Sequence, residues 1–185
     1  MNAVEQAMEQ SEKMTEKSGA LLESIVNMGA DAETGEFSLP LTAEKLMAIK
    51  SAVEERFDEI DEPTISTAYT IMEKAAKDGQ DAIVSLLQHV LRTYAAIALS
   101  TKVSKNGDGI LSSIILMDPD EWVRELQKGV ESNEISEDGL QEQLQTTMEE
   151  LLFSFPVGSF TQRLFAEFLK EFEDRSKKAF NNAST

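Results

Sequence analysis

The sequence lacks cysteine and contains a single histidine, His89. The lack of cysteine excludes disulfides, thiolate metal sites and cysteine nucleophiles. Zinc and di-iron sites built on paired histidines are excluded as well, because they need at least two. The chain also has no GxSxG segment, no P-loop and no GxGxxG motif. We therefore expect no metal ion, no cofactor and no enzymatic activity, with an enzyme that uses His89 and a carboxylate as the least favoured alternative.

Glycine, proline and positive charge are also scarce. Nine Gly and four Pro in 185 residues, with few alternating apolar and polar runs, favour helices over sheets. The 17 Lys and Arg face 34 Asp and Glu, which gives a net charge of −17. Such a negative field repels phosphate backbones and anionic lipid surfaces, so we expect neither direct nucleic-acid binding nor membrane attachment. The first residues do not resemble a secretory signal, which predicts a cytoplasmic location.

The most apolar stretch runs from Asp81 to Leu99 and is apolar over most of a helical circumference. Its polar stripe consists of Ser85, His89 and Arg92. A helix of this kind needs neighbours on several sides, and polar residues near its middle argue against a membrane span. We therefore predict an all-α fold, an irregular bundle of about seven or eight helices around a buried central helix at 81–102.

Apolar patterning also predicts the domain boundaries. Residues 1–20 are polar and predict a helical N-terminal arm, either a loose terminus or a projecting element for dimerisation or docking. We expect residues 21–180 to form a single helical domain and residues 181–185 to form a disordered tail. The short apolar run at 110–117 has no convincing partner strand and is predicted to be helical.

Capping signals predict several helix ends. Thr42 is expected to begin a helix that Pro63 ends, and Asp118 to begin one that stops at Gly129. Ser136 and Ser159 are expected to cap the last two helices.

Residues 104–112 resemble the calcium loop of EF-hand proteins. Asn106 and Asp108 match two of the liganding positions of that loop, and Gly109 matches its turn glycine. Ile115 stands where the pattern requires a bidentate Glu. A shell of six to eight oxygens cannot form from this loop, so we expect no calcium site.

Two surfaces are candidates for binding another protein. The last helix carries a wide apolar stripe that could cover both the core and a partner, with Phe165, Leu169, Phe172 and Phe180 as the candidate residues. A run of carboxylates is either a solvated helix face or a surface that meets a basic patch on a partner: Glu54, Glu55, Asp58, Glu59, Asp61 and Glu62.

The sequence thus predicts a non-enzymatic, acidic, helical protein that acts by protein–protein binding, as a regulator, adaptor or inhibitor. The expected partner is a protein, either one with a basic surface or a second copy of the chain in a homodimer. The alternative from another class is a DNA mimic, whose carboxylates imitate backbone phosphates and block a nucleic-acid-binding protein.

Overall fold

The computed structural model describes residues 3–183 except residues 32, 38 and 106–108. Eight α-helices and two short 3-10 turns make up the regular structure of these residues, and the described chain contains no strand. The prediction of an all-α helical bundle is confirmed. The helices are α1 (Ala3–Val26), α2 (Ala43–Glu55), α3 (Glu62–Lys77), α4 (Asp81–Lys105), α5 (Gly109–Ile115), α6 (Pro119–Glu131), α7 (Glu137–Ser154) and α8 (Phe160–Ala183).

The chain divides into two compact units, Met1–Tyr94 and Ala95–Thr185. In the first unit, α1 packs against α3 and α2, and the 3-10 turn at Asn27–Gly29 packs against α2. In the second unit, α6 packs against α8 and α5, and α7 packs against α8. Each unit therefore has a helical core of its own.

Helix α4 is the predicted buried helix, and it runs through the boundary between the units. Among the described residues it is the one helix whose length and composition would suffice to cross a membrane, a test that the core helix of a soluble protein also passes. Its buried side chains lie on several faces, as the composition predicts: Leu86, Leu87, Val90, Leu91, Thr93, Ala95, Ala96, Leu99, Ser100 and Val103.

Most of the predicted helix starts are confirmed. Thr42, Asp118, Ser136 and Ser159 each accept a hydrogen bond from a backbone N–H in the first turn of the following helix. These bonds satisfy donors that have no partner within the helix itself. The apolar run at 110–117 is helical up to Ile115, in α5.

The prediction that Pro63 ends the second helix is wrong. Helix α2 already ends at Glu55, and a 3-10 turn at Phe57–Glu59 follows. Pro63 lies in the first turn of α3, where the missing N–H of proline has no cost and Asp61 caps the helix.

The prediction that Gly129 ends α6 is also wrong, since the helix continues to Glu131 and Asn133 then takes a left-handed conformation with φ 56°. Asparagine tolerates this conformation better than most residues. Gly129 serves packing instead, because a Cβ at this position would lie 2.5 Å from Cδ1 of Ile135. The backbone N–H of Ile135 donates to the Gly129 carbonyl at 3.0 Å, which holds the loop on the helix.

Helix α8 is longer than predicted. It extends to Ala183, so residues 181–183 are helical rather than part of a disordered tail. Residues 184–185 lie outside the described part of the chain.

We expect Gly129→Ala to lower the free energy of unfolding by about 2 kcal/mol, because the added methyl group overlaps Ile135. Gly19→Ala is the control, since it lies within a helix and nothing lies within 4 Å of its Cβ position. The control should raise the free energy of unfolding by up to about 1 kcal/mol, because alanine has the higher helix propensity. Urea denaturation measures both values, and equal stability of the two variants would contradict the contact between Gly129 and Ile135.

Candidate protein-binding surface

The four apolar residues predicted as an interface on the last helix lie in the core of the second unit. Phe165, Leu169, Phe172 and Phe180 are each at most 6% exposed. Since other side chains of the protein already cover them, they form packing contacts rather than a free surface. Their role in binding a partner stays a prediction.

Trp122 on α6 is the fully buried centre of this packing. Its ring meets the edges of Phe168 and Phe172, with centroids 5.4 and 4.9 Å away. Its Nε1–H donates to the Met117 carbonyl at 3.2 Å. The Arg175 guanidinium lies 5.7 Å from the centre of the ring, a cation–π contact that covers the cluster at its polar edge.

The predicted carboxylates lie in the first unit, between the last turn of α2 and the first turn of α3. Glu62 is half-buried and the rest are exposed. Within the described chain, four of them make no ion pair: Glu54, Glu55, Asp58 and Glu59.

Many carboxylates on α6 and α8 of the second unit are paired instead. The side chains of Lys128 and Arg124 bond to Glu125 and hold the pKa of its carboxyl below the usual value. Lysine or arginine side chains pair in the same way with Asp120, Glu121, Glu167, Glu171, Glu173 and Asp174. The acidic run of the first unit therefore differs from these faces of α6 and α8, where lysine and arginine side chains pair with the carboxylates.

Glu54 and Glu55 also occupy an unfavourable position. They lie in the last turn of α2, which carries no basic residue. The negative end of the helix dipole repels carboxylates there, typically by about 0.3–1 kcal/mol each. Charged residues that oppose a helix dipole without a visible gain in stability are typical of functional surfaces.

Asp61 connects this acidic run to α1. Its Oδ1 accepts hydrogen bonds from the backbone N–H and the hydroxyl of Thr64, at 3.0 and 2.7 Å. The Thr64 hydroxyl is in turn hydrogen-bonded to the hydroxyl of Ser18 at 3.4 Å. Phe57 stacks on Tyr94 with ring centroids 4.9 Å apart, and burial raises the pKa of the Tyr94 hydroxyl, as do the charges of Asp61 and Asp58.

Burial along α1 changes at Ser18. Among the described side chains of this helix, the buried ones begin there. Leu22 follows Ser18 by four residues and Ile25 follows Leu22 by three, so all three lie on one face. The first turn of α3 meets α1 at Ser18 through the Thr64 hydroxyl, and α3 packs against α1. All side chains from Met8 to Lys17 are exposed, although the helix is continuous.

The exposed half of α1 continues the buried stripe. Met8, Ser11 and Thr15 precede Ser18 at the same spacings of three and four, and Met14 lies beside them. Met8 is 60% exposed and Met14 50%. We name Met8, Ser11, Met14 and Thr15 the arm stripe. The prediction of an N-terminal arm did not identify this face, whose signal was its spacing relative to Leu22 and Ile25.

The remaining candidates add no second site. His89 is half-buried on α4, and no group of three or more His, Cys, Asp or Glu that could hold a metal ion occurs in the described residues. Residues 106–108 of the EF-hand-like loop lie outside the described part. No protein-family model, curated protein or solved structure matches the chain. A functional proposal therefore depends on the arm stripe and the acidic run.

Stability measurements distinguish aromatic side chains in the core from those on the surface. We expect Phe172→Ala to lower the free energy of unfolding by about 3–5 kcal/mol, because the ring is fully buried against Trp122. Phe153→Ala is the matched control, since this ring is 91% exposed and its loss should change stability by less than about 0.5 kcal/mol. Guanidinium titration followed by Trp122 fluorescence gives both values. A small loss for Phe172→Ala would show that the ring does not belong to the core.

Proposed function

We propose that the protein acts without catalysis, by binding another protein along the exposed first half of α1. The observation that carries the proposal is the change of burial along one stripe of a continuous helix. The stripe is buried from Ser18 to Val26 and exposed from Met8 to Thr15. Recognition of an amphipathic helix by a partner uses apolar residues at these spacings.

Within the described residues, the exposed half of α1 makes few stabilising contacts. Its described side-chain contacts are local, such as the Lys13–Glu9 ion pair at 2.7 Å and the Thr15 hydroxyl on the Ser11 carbonyl at 3.0 Å. Exposed pairs of this kind contribute only a few tenths of a kcal/mol. A helix of this length is marginal in water on its own, and a partner that covers the arm stripe would stabilise it.

The charge of the protein supports a protein partner in the cytoplasm as a further part of the proposal. A net charge of −17 opposes binding to nucleic acids and to anionic membranes. The same charge accelerates association with a basic protein surface. Occupation of such a surface is sufficient for a regulator, adaptor or inhibitor.

The double substitution Met8→Gln and Met14→Gln tests the proposal. It removes the apolar side chains of the arm stripe, keeps the net charge and keeps helix propensity, because glutamine and methionine are similar helix formers. Tagged full-length protein is used to isolate bound proteins from the native cell, and quantitative mass spectrometry compares the variants. We expect a specific partner to be depleted at least tenfold with this variant.

The matched control is Glu9→Gln with Lys13→Gln, which alters two exposed residues on the opposite face of the same helix at no net charge change. It should retain the partner. Equal recovery with both variants would contradict the proposal. The DNA-mimic alternative would be favoured if substitution of Met8 and Met14 left recovery of the partner unchanged. Recovery of the partner would then depend on Glu54, Glu55, Asp58 and Glu59 instead.

A further inference from the structure

We infer that the arm stripe is built for a helix with a basic flank on a different protein, and that a second copy of this chain does not fit it. The inference rests on the proposed function and names the chemistry of the partner. It follows from three features of the first unit: the charges beside the stripe, the position of α3 and the acidic run at the end of the stripe.

The two sides of the arm stripe carry different charges. With 3.6 residues per turn, Glu12 and Glu16 lie on one side of the stripe, and Gln10 and Lys17 lie on the other. All four side chains are exposed. A helix packed along the stripe therefore lies beside a negative edge on one side and a neutral to positive edge on the other.

A second copy in parallel orientation is excluded by α3. If the arms of two copies paired in parallel, the same faces of the two α1 helices would stay in contact beyond Ser18, since α1 runs without a break to Val26. The first turn of α3 already occupies that face at Ser18, where Thr64 bonds to the Ser18 hydroxyl. The partner's continuing helix would overlap α3.

A second copy in antiparallel orientation is opposed by charge. Antiparallel two-fold pairing places each side of the stripe against the same side of the other copy. Glu12 and Glu16 would then face the same two carboxylates of the second chain. Like charges across such a contact destabilise it and discriminate against that pairing.

The acidic run adjoins the arm stripe at its end, at Ser18. Asp61 is joined to Ser18 through the Thr64 hydroxyl, by contacts of 2.7 and 3.4 Å. A helix that lies along the arm stripe and reaches Ser18 therefore meets the Asp61 carboxylate. Basic residues of the partner helix would pair with Glu12 and Glu16 along the stripe and with Asp61 at its end, whereas acidic residues would be repelled.

Two synthetic helical peptides test the inference with full-length protein. Both carry the same apolar stripe of leucines, and one has lysines and the other glutamates at the flanking positions. We expect the lysine peptide to bind at least tenfold more tightly in fluorescence anisotropy. It should also slow amide hydrogen exchange from Met8 to Lys17.

Variants locate the binding on the arm. We expect Glu12→Gln with Glu16→Gln to lower the affinity for the lysine peptide about three- to tenfold, the effect of losing two partly exposed ion pairs. Glu142→Gln with Glu150→Gln changes the charge equally at exposed positions of α7 and should leave affinity unchanged. Met8→Gln with Met14→Gln should lower the affinity for both peptides.

Sedimentation velocity of the full chain should show a monomer at concentrations that saturate peptide binding. An arm-dependent dimer, equal affinity for the two peptides, no binding of either, or binding that ignores Glu12 and Glu16 would overturn the inference. If one of these results occurs while Met8→Gln with Met14→Gln still releases the cellular partner, the proposed function stands and only the inferred chemistry of the partner is wrong.

Discussion

The contact between the first turn of α3 and the middle of α1 determines where the core of the first unit begins. Asp61 caps α3 through Thr64, and the Thr64 hydroxyl bonds to Ser18. Helix α1 begins about 22 Å before Ser18 and runs without a break to Val26. The same stripe of side chains is core on one side of Ser18 and surface on the other, where Met8 to Lys17 are exposed. The change of burial therefore coincides with the contact to α3 and not with a break in α1.

The acidic run of the first unit and the outer faces of α6 and α8 differ in their ion pairing. The outer faces of α6 and α8 carry acids and bases one turn apart, and these acids are paired. Each such pair contributes little to stability, but it neutralises the local field. In the first unit Glu54, Glu55, Asp58 and Glu59 make no ion pair within the described chain, although Lys50 lies one turn before Glu54. Glu54 and Glu55 also oppose the dipole of α2.

Much of the fold follows from local chemistry, whereas the sites depend on distant contacts. Caps at Thr42, Asp118, Ser136 and Ser159 are visible in sequence because a side chain bonds to a backbone two or three residues away. Pro63 was ambiguous, since proline both ends one helix and favours the first turn of the next. The aromatic stripe of α8 has the same spacing whether it faces a core or a partner. Its assignment to the core depends on Trp122, more than forty residues earlier in the chain. The arm stripe was missed because serine and threonine interrupt its apolar pattern, and its meaning depends on where α3 begins.

The first unit carries two local costs. Carboxylates at the end of α2 oppose its dipole, and the first half of α1 exposes two methionines, Met8 and Met14. Each cost is small, on the order of 1 kcal/mol or less, and single substitutions would remove it. Asp61 belongs to the acidic run and adjoins the end of the arm at Ser18 through the Thr64 hydroxyl. A partner with apolar residues framed by positive charge would cover the methionines and also meet the Asp61 carboxylate, because the arm stripe ends at that contact.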